Sequence, residues 1–212
     1  MITLRLLDSV SSVGKKVNKA SAQEINRIMK KNKPKVVGSL RTAIKNWALV
    51  QPEIESLRAL VTPGELSSIF GIPVRENRKI TDVIVYSISN AIYVNIGTIT
   101  EKLKGTIEFN FQPTTFSNLL ALPEGFTITS NNQQLHWMDW LLTKGSQTII
   151  YGYSYIPGVG LGRSGSGKMQ AGGVFRVPPQ YSGTISDNFV TRLFENREKE
   201  ISDILKGLFN GV

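Results

Sequence analysis

Apolar residues recur at helical spacing through the first quarter of the chain, and the interruptions set where helices should begin and end. Ser21-Ala22-Gln23-Glu24 has the form of a capping box, in which the serine oxygen takes the Glu24 N–H and the glutamate reaches back to the serine N–H. The helix expected from there carries Ile25, Ile28 and Met29 on one side. At Pro34 it should bend or restart, because proline removes a donor and crowds the preceding turn. Val36, Val37, Leu40, Ile44, Trp47 and Ala48 then make the stripe of a second helix, closed near Pro52. Ahead of these, Ile2, Leu4 and Leu6 alternate as in a short strand. Thr62-Pro63-Gly64-Glu65 repeats the capping logic and predicts a short helix through Phe70, ending at Gly71.

From Lys79 onward the pattern reads as strand. Residues 80–88 and 92–99 are rich in β-branched side chains with Ser89-Asn90 as a turn, and Ile107, Phe109 and Phe111 alternate with polar residues, giving three antiparallel strands in meander order. A brief apolar segment at Phe116, Leu119 and Leu120 and a strand at Phe126–Thr129 follow. Residues 134–143 read as a short helix, apolar nearly all round and stopped by Gly145. Strands at 147–155 and 174–177 flank a glycine-rich loop, and Pro178-Pro179 ends the second. The last element is a helix over 187–210, with Phe189, Val190, Leu193, Ile201, Ile204, Leu205 and Leu208 as its stripe. The expected fold is one α+β domain over 1–212: an antiparallel sheet with an extended hairpin at 147–177, packed against N-terminal helices and a long C-terminal helix.

Composition narrows the chemistry. Among 212 residues there is no cysteine and a single histidine, His136, which removes disulfides and thiolate sites and leaves little for a metal. No run of about 18 apolar residues occurs, so no membrane span is expected, and the first twenty residues do not read as a secretory leader. The net charge of +9 is concentrated: residues 1–50 hold eleven Lys and Arg against Asp8 and Glu24, while the remainder is balanced at fourteen of each sign. This asymmetry points to an acidic partner for residues 1–50, either nucleic acid or an acidic protein surface; the alternative is a solvated helical face. Arg27, Lys30, Lys31, Lys33 and Lys35 are the candidate contacts. No aromatic residue is interleaved with them, so sequence-specific reading of nucleic acid is not expected, whereas general attraction to nucleic acid stays open.

The loop Gly158-Val159-Gly160-Leu161-Gly162-Arg163-Ser164-Gly165-Ser166-Gly167-Lys168-Met169 satisfies both G-x-x-x-x-G-K and G-x-G-x-x-G. Either pattern binds phosphate only when a helix follows and offers its N-terminal N–H groups. Here Gly172-Gly173 and Pro178-Pro179 follow, and position 169 is methionine where a magnesium-binding hydroxyl belongs, so nucleotide binding is rejected. The loop is expected instead to become ordered against a neighbouring subunit, with Arg163 and Lys168 as interface residues.

Elsewhere, His136 stands near Asp139, but on a short apolar helix a structural role outweighs general-base chemistry. Trp137 and Trp140, three apart, suit an aromatic contact edge or, better, core packing. No residue is assigned to catalysis, to a cofactor or to a metal.

The order Leu135-His136-Trp137-Met138-Asp139-Trp140-Leu141-Leu142, then Gly162-Arg163-Ser164-Gly165, then Val177-Pro178-Pro179-Gln180-Tyr181-Ser182-Gly183-Thr184, then Asp187-Asn188-Phe189-Val190-Thr191-Arg192 resembles virion proteins of tailed bacteriophages, particularly contractile-tailed ones. The detailed likeness covers roughly residues 134–192; the N-terminal half matches in pattern only. It implies a neck or tail-completion protein without catalytic residues. Such a protein forms a homo-oligomeric ring in the virion between capsid portal and tail, assembled in the host cytoplasm and in contact with other neck, portal or tail proteins. A tail terminator capping the tube is the alternative within the same resemblance.

Overall fold

Ser9 starts the longest helix of the chain: its hydroxyl accepts the Ser12 N–H at 3.1 Å, closing the first turn. The computed structural model describes residues 8–59, 65–111, 115–128, 132–158 and 167–211. In order, the elements are α1 (Val10–Leu49), α2 (Pro52–Arg58), α3 (Glu65–Ile69), α4 (Val74–Asn90), β1 (Ile92–Ile96), β2 (Ile107–Phe111), α5 (Ser117–Leu120), β3 (Thr127–Ile128), β4 (Gln134–Leu135), α6 (Met138–Leu142), β5 (Thr148–Ile156), β6 (Lys168–Arg176) and α7 (Glu198–Lys206). The class is α+β, as expected, but the strands form three separate two-stranded antiparallel sheets, β1–β2, β3–β4 and β5–β6.

α1 differs from expectation at both of its punctuation marks. Ser21 lies inside the helix, and Glu24 turns to Arg27 instead of capping, accepting from its Nε at 2.8 Å and its Nη2 at 2.6 Å. Pro34 neither ends nor restarts the helix. Pro34 and Lys30 are both on the exposed side of the helix, where a lost backbone hydrogen bond costs less than in a dry interior.

The described residues gather into two units, one drawn from 1–40, 92–111 and 199–212, the other from 41–91 and 112–198. In the first, α1 buries Ile28, Met29, Val36 and Leu40, and β1 alternates buried Ile92 and Val94 with exposed Tyr93 and Asn95. Two asparagines of α1 tie the unit together. Asn26 grips the backbone of Ile99, donating to its carbonyl at 3.0 Å and accepting its N–H at 2.9 Å. Asn32 donates to the carbonyls of Leu208 and Asn210, at 3.2 and 2.9 Å.

The second unit contains the largest departure. Residues 80–88, expected as a strand, belong to α4. Asn77, Thr81, Ile84, Val85, Ile88 and Ser89 are its buried positions, at helical spacing. Three polar residues on the inner face, Asn77, Thr81 and Ser89, hid that stripe from the hydrophobic pattern. Thr81 is satisfied locally, its hydroxyl donating to the Asn77 carbonyl at 2.9 Å, and tertiary burial overrides the β propensity of the isoleucines and valines. The meander accordingly has two strands. Residues 134–143 divide into β4 and α6, and the helix expected over 187–210 is broken, a 3-10 turn at Thr191–Phe194 being followed by Asn196 at positive φ before α7 begins. The strand expected at residues 1–7 and the cap at Thr62-Pro63-Gly64 lie outside the described residues.

Asn188 holds the 3-10 turn against α6. Its buried amide donates to the carbonyls of Thr184 and Leu142, at 2.7 and 3.3 Å, and its oxygen accepts the N–H groups of Val190 and Thr191, at 3.0 and 3.1 Å. Beside it, Gly183 passes so close to α6 that a Cβ there would sit 2.0 Å from the Leu141 carbonyl oxygen. Asn188→Ala leaves several buried groups without partners and is expected to cost about 3 kcal/mol. Urea unfolding checks this, and a loss below about 1 kcal/mol would contradict the clamp.

Candidate interaction surfaces

The β5–β6 ribbon is largely exposed, with Phe175 the one buried residue within its two strands. Its register runs from Thr148↔Arg176 to Ile156↔Lys168, with two irregularities. Ile149 is the extra residue on β5, and the pair Gly172-Gly173 stands opposite Gly152 on β6, all three glycines at positive φ. Extra residues on opposite strands increase the twist of a ribbon and re-aim its side chains. At its base Phe175 and Val177 are buried and anchor it. Beyond the anchor Tyr151 is 77% exposed, Tyr153 48% and Met169 43%, with Ile150 and Val174 also exposed. Ala171 pairs with Tyr153 and Met169 with Tyr155, so Tyr153 and Met169 share one face.

The chain from Trp140 to Ser186 contains no Asp or Glu, and its charged residues are Lys144, Arg163, Lys168 and Arg176. The ribbon is therefore basic as well as apolar. Lys168 is exposed and opens β6 directly. Strand β6, not a helix N-terminus, follows the G-x-x-x-x-G-K pattern. Gly167 has a local reason to be glycine: at φ +74° it lies under the Tyr155 ring, and a Cβ would meet the phenol oxygen at 2.2 Å. Lys168–Gly173, assigned to the loop from sequence, are strand. Arg163 lies outside the described residues.

The other candidate residues separate. Trp137 is fully buried and stacks on Phe70, with centroids 5.1 Å apart, so it builds the core. Trp140 is half-buried beneath Lys144, whose Nζ is 4.5 Å from the ring centroid and 2.8 Å from the Asp139 carboxylate. Asp139 is thus occupied by Lys144. His136 is exposed and leans on Phe126, at 5.3 Å between centroids, and no side-chain hydrogen bond joins it to Asp139. In the first unit, Lys30, Lys31 and Lys35 are exposed, Arg27 is engaged by Glu24, and Lys33 lies over Tyr93 with its Nζ 5.7 Å from the centroid. The hydrogen bond from Arg27 holds the Glu24 carboxyl below its ordinary pKa. Among the described residues, no cluster of His, Cys, Asp and Glu has the makings of a metal site, and no helix is long and apolar enough to cross a membrane.

Two features were not foreseen. A cleft of about 540 Å³ lies between the start of α4 and the segment 123–128, walled by Ile72, Ile80, Phe126 and Ile128, with Glu76 and Glu124 among its lining residues. The other is a buried carboxylate. Glu53, 1% exposed, accepts from Arg192, which also donates to Asp187 at 2.8 Å; Glu53 Oε2 has no hydrogen-bond partner. Burial pushes the Glu53 carboxyl above its ordinary pKa, against the lowering by its own backbone N–H and by Arg192. Burial alone would lower Arg192, but the hydrogen bond to Asp187 and the charges of Glu53 and Asp187 outweigh it and raise the value. Nothing in the local sequence marks Glu53, and its partner stands 139 residues away.

No protein-family model, curated protein or solved structure matches the chain.

The raised Glu53 pKa has a sign. The folded state holds this proton more tightly than the unfolded one, so the stabilisation is complete below the ordinary glutamate value of about 4.3 and is lost as pH rises through the raised value. Glu53→Gln does not titrate. The stability of the wild type relative to Glu53→Gln is expected to decline from about pH 4 towards neutrality. Denaturant unfolding across that range checks it, and a constant difference would contradict it.

Proposed function

We propose that this chain is a structural protein of a tailed-phage virion, one subunit of a neck ring that joins the capsid portal to the tail. The supporting observation is the ribbon: nine-residue strands whose aromatic and aliphatic side chains stand in water on a segment without a single acid. Exposed apolar surface of this kind marks a protein contact. A two-stranded ribbon is marginal by itself and gains stability when another surface covers it. The resemblance over residues 134–192 supplies the setting, and copies of the chain supply the covering surface. In a ring each copy gives one patch and receives a different one. The exposed Lys30, Lys31 and Lys35 provide a separate basic surface for an acidic neighbour or for packaged DNA passing through the neck.

The mass of the purified chain, measured across concentration and in particles of the phage that encodes it, tests this reading. Wild type is expected to associate and to enter particles. Tyr151→Asp with Tyr153→Asp, at exposed positions, should keep the wild-type unfolding midpoint while losing association by at least tenfold. A wild-type chain that is strictly monomeric at every concentration and absent from particles would overturn the proposal.

A further inference from the structure

We infer that the receiving patch is the cleft beside α4, and that it takes the ribbon of a second copy of this chain. The inference rests on the ring reading and specifies its contact. The ribbon offers Tyr151, Tyr153 and Met169 with Lys168 at one end and no acid anywhere along it. The cleft offers the reciprocal chemistry: aliphatic and aromatic walls from Ile72, Ile80, Phe126 and Ile128, and the carboxylates of Glu76 and Glu124. Lys79 also lines it, so the two glutamates leave a net negative charge there. Glu76 meets Arg75 only at 3.6 Å and at the surface, a contact worth little and easily exchanged for an incoming lysine.

Size agrees with chemistry. A cleft of about 540 Å³ falls in the ~300–1,000 Å³ range of concave sites that take a drug-sized group, room enough for a pair of large ribbon side chains. Aromatic anchors entering a partly apolar cleft, with charges paired at the edge, are the usual centre of a protein contact. The contact is heterologous, because ribbon and cleft are different patches, and it closes into a ring when the rotation between copies closes.

Charge exchange tests the pairing by sedimentation velocity on the full chain. Lys168→Glu alone and Glu124→Lys alone should each weaken association about tenfold, and the double variant should recover most of the loss. Because the natural chain has no cysteine, a Tyr151→Cys copy mixed with an Ile128→Cys copy should form a crosslinked heterodimer on oxidation. If association persists unchanged in both single charge variants and no crosslink forms, while Tyr151→Asp still abolishes it, the cleft is not the acceptor and the inference falls although the ring reading stands. If the wild type does not associate at all, both fall. Protection of the ribbon by duplex DNA in place of a second copy would overturn the inference in favour of a nucleic-acid contact.

Discussion

Two strands alone have two faces and no third layer to lie against either of them, and the β5–β6 ribbon is governed by that constraint. Phe175 and Val177 satisfy it at the base by turning into the core. Farther out, Tyr151, Tyr153 and Met169 remain in water. Burying each such side chain is worth about 1.5–3 kcal/mol, whereas bringing two molecules together costs an estimated 4–15 kcal/mol. A single ribbon contact is therefore weak. In the proposed ring the balance differs, because the last copy makes two contacts for one loss of freedom.

A projecting ribbon transmits nothing unless its base is firm. Phe70 stacked on Trp137 and the four hydrogen bonds of Asn188 supply that firmness, and Gly183 permits the close passage of chain against α6. Much of the segment 134–192 is accounted for by this packing. Trp137, Leu141, Gly183, Asn188 and Phe189 are core or close-approach positions, and the exposed ribbon lies between them in the chain. Glu53 and Arg192 add a part-buried ion pair linking α2 to the 3-10 turn, with one carboxylate oxygen unsatisfied. Such a pair costs desolvation on both sides, and losing either member is worse than never having had it.

Where local signals agreed with burial, the sequence was a good guide: α1 lies within the basic helical segment at 1–50, β1 and β2 fall within the expected strands, and the hairpin occupies 148–176 against an expected 147–177. Misreadings arose where tertiary packing decided. The inner face of α4 includes Asn77 and Thr81, so its apolar period was masked and its β-branched residues suggested a strand. Ser21-Ala22-Gln23-Glu24 has a genuine capping pattern, yet the helix already runs through it from Ser9. Of the candidate contacts, exposure of Lys30, Lys31, Lys35 and Lys168 was legible from charge. The burial of Trp137, the cleft beside α4 and the Glu53–Arg192 pair were not, because each depends on residues far apart in the chain.

The claim that the ribbon is covered by a neighbouring copy is tested most directly by amide hydrogen exchange of residues 168–176, compared between the isolated chain and the assembled particle. Slower exchange of this strand and its partner β5 on assembly is the result expected, with the residues of the cleft beside α4 slowing as well. Exchange that is equally fast in both states would mean that nothing covers the ribbon, and the proposed joint would not exist.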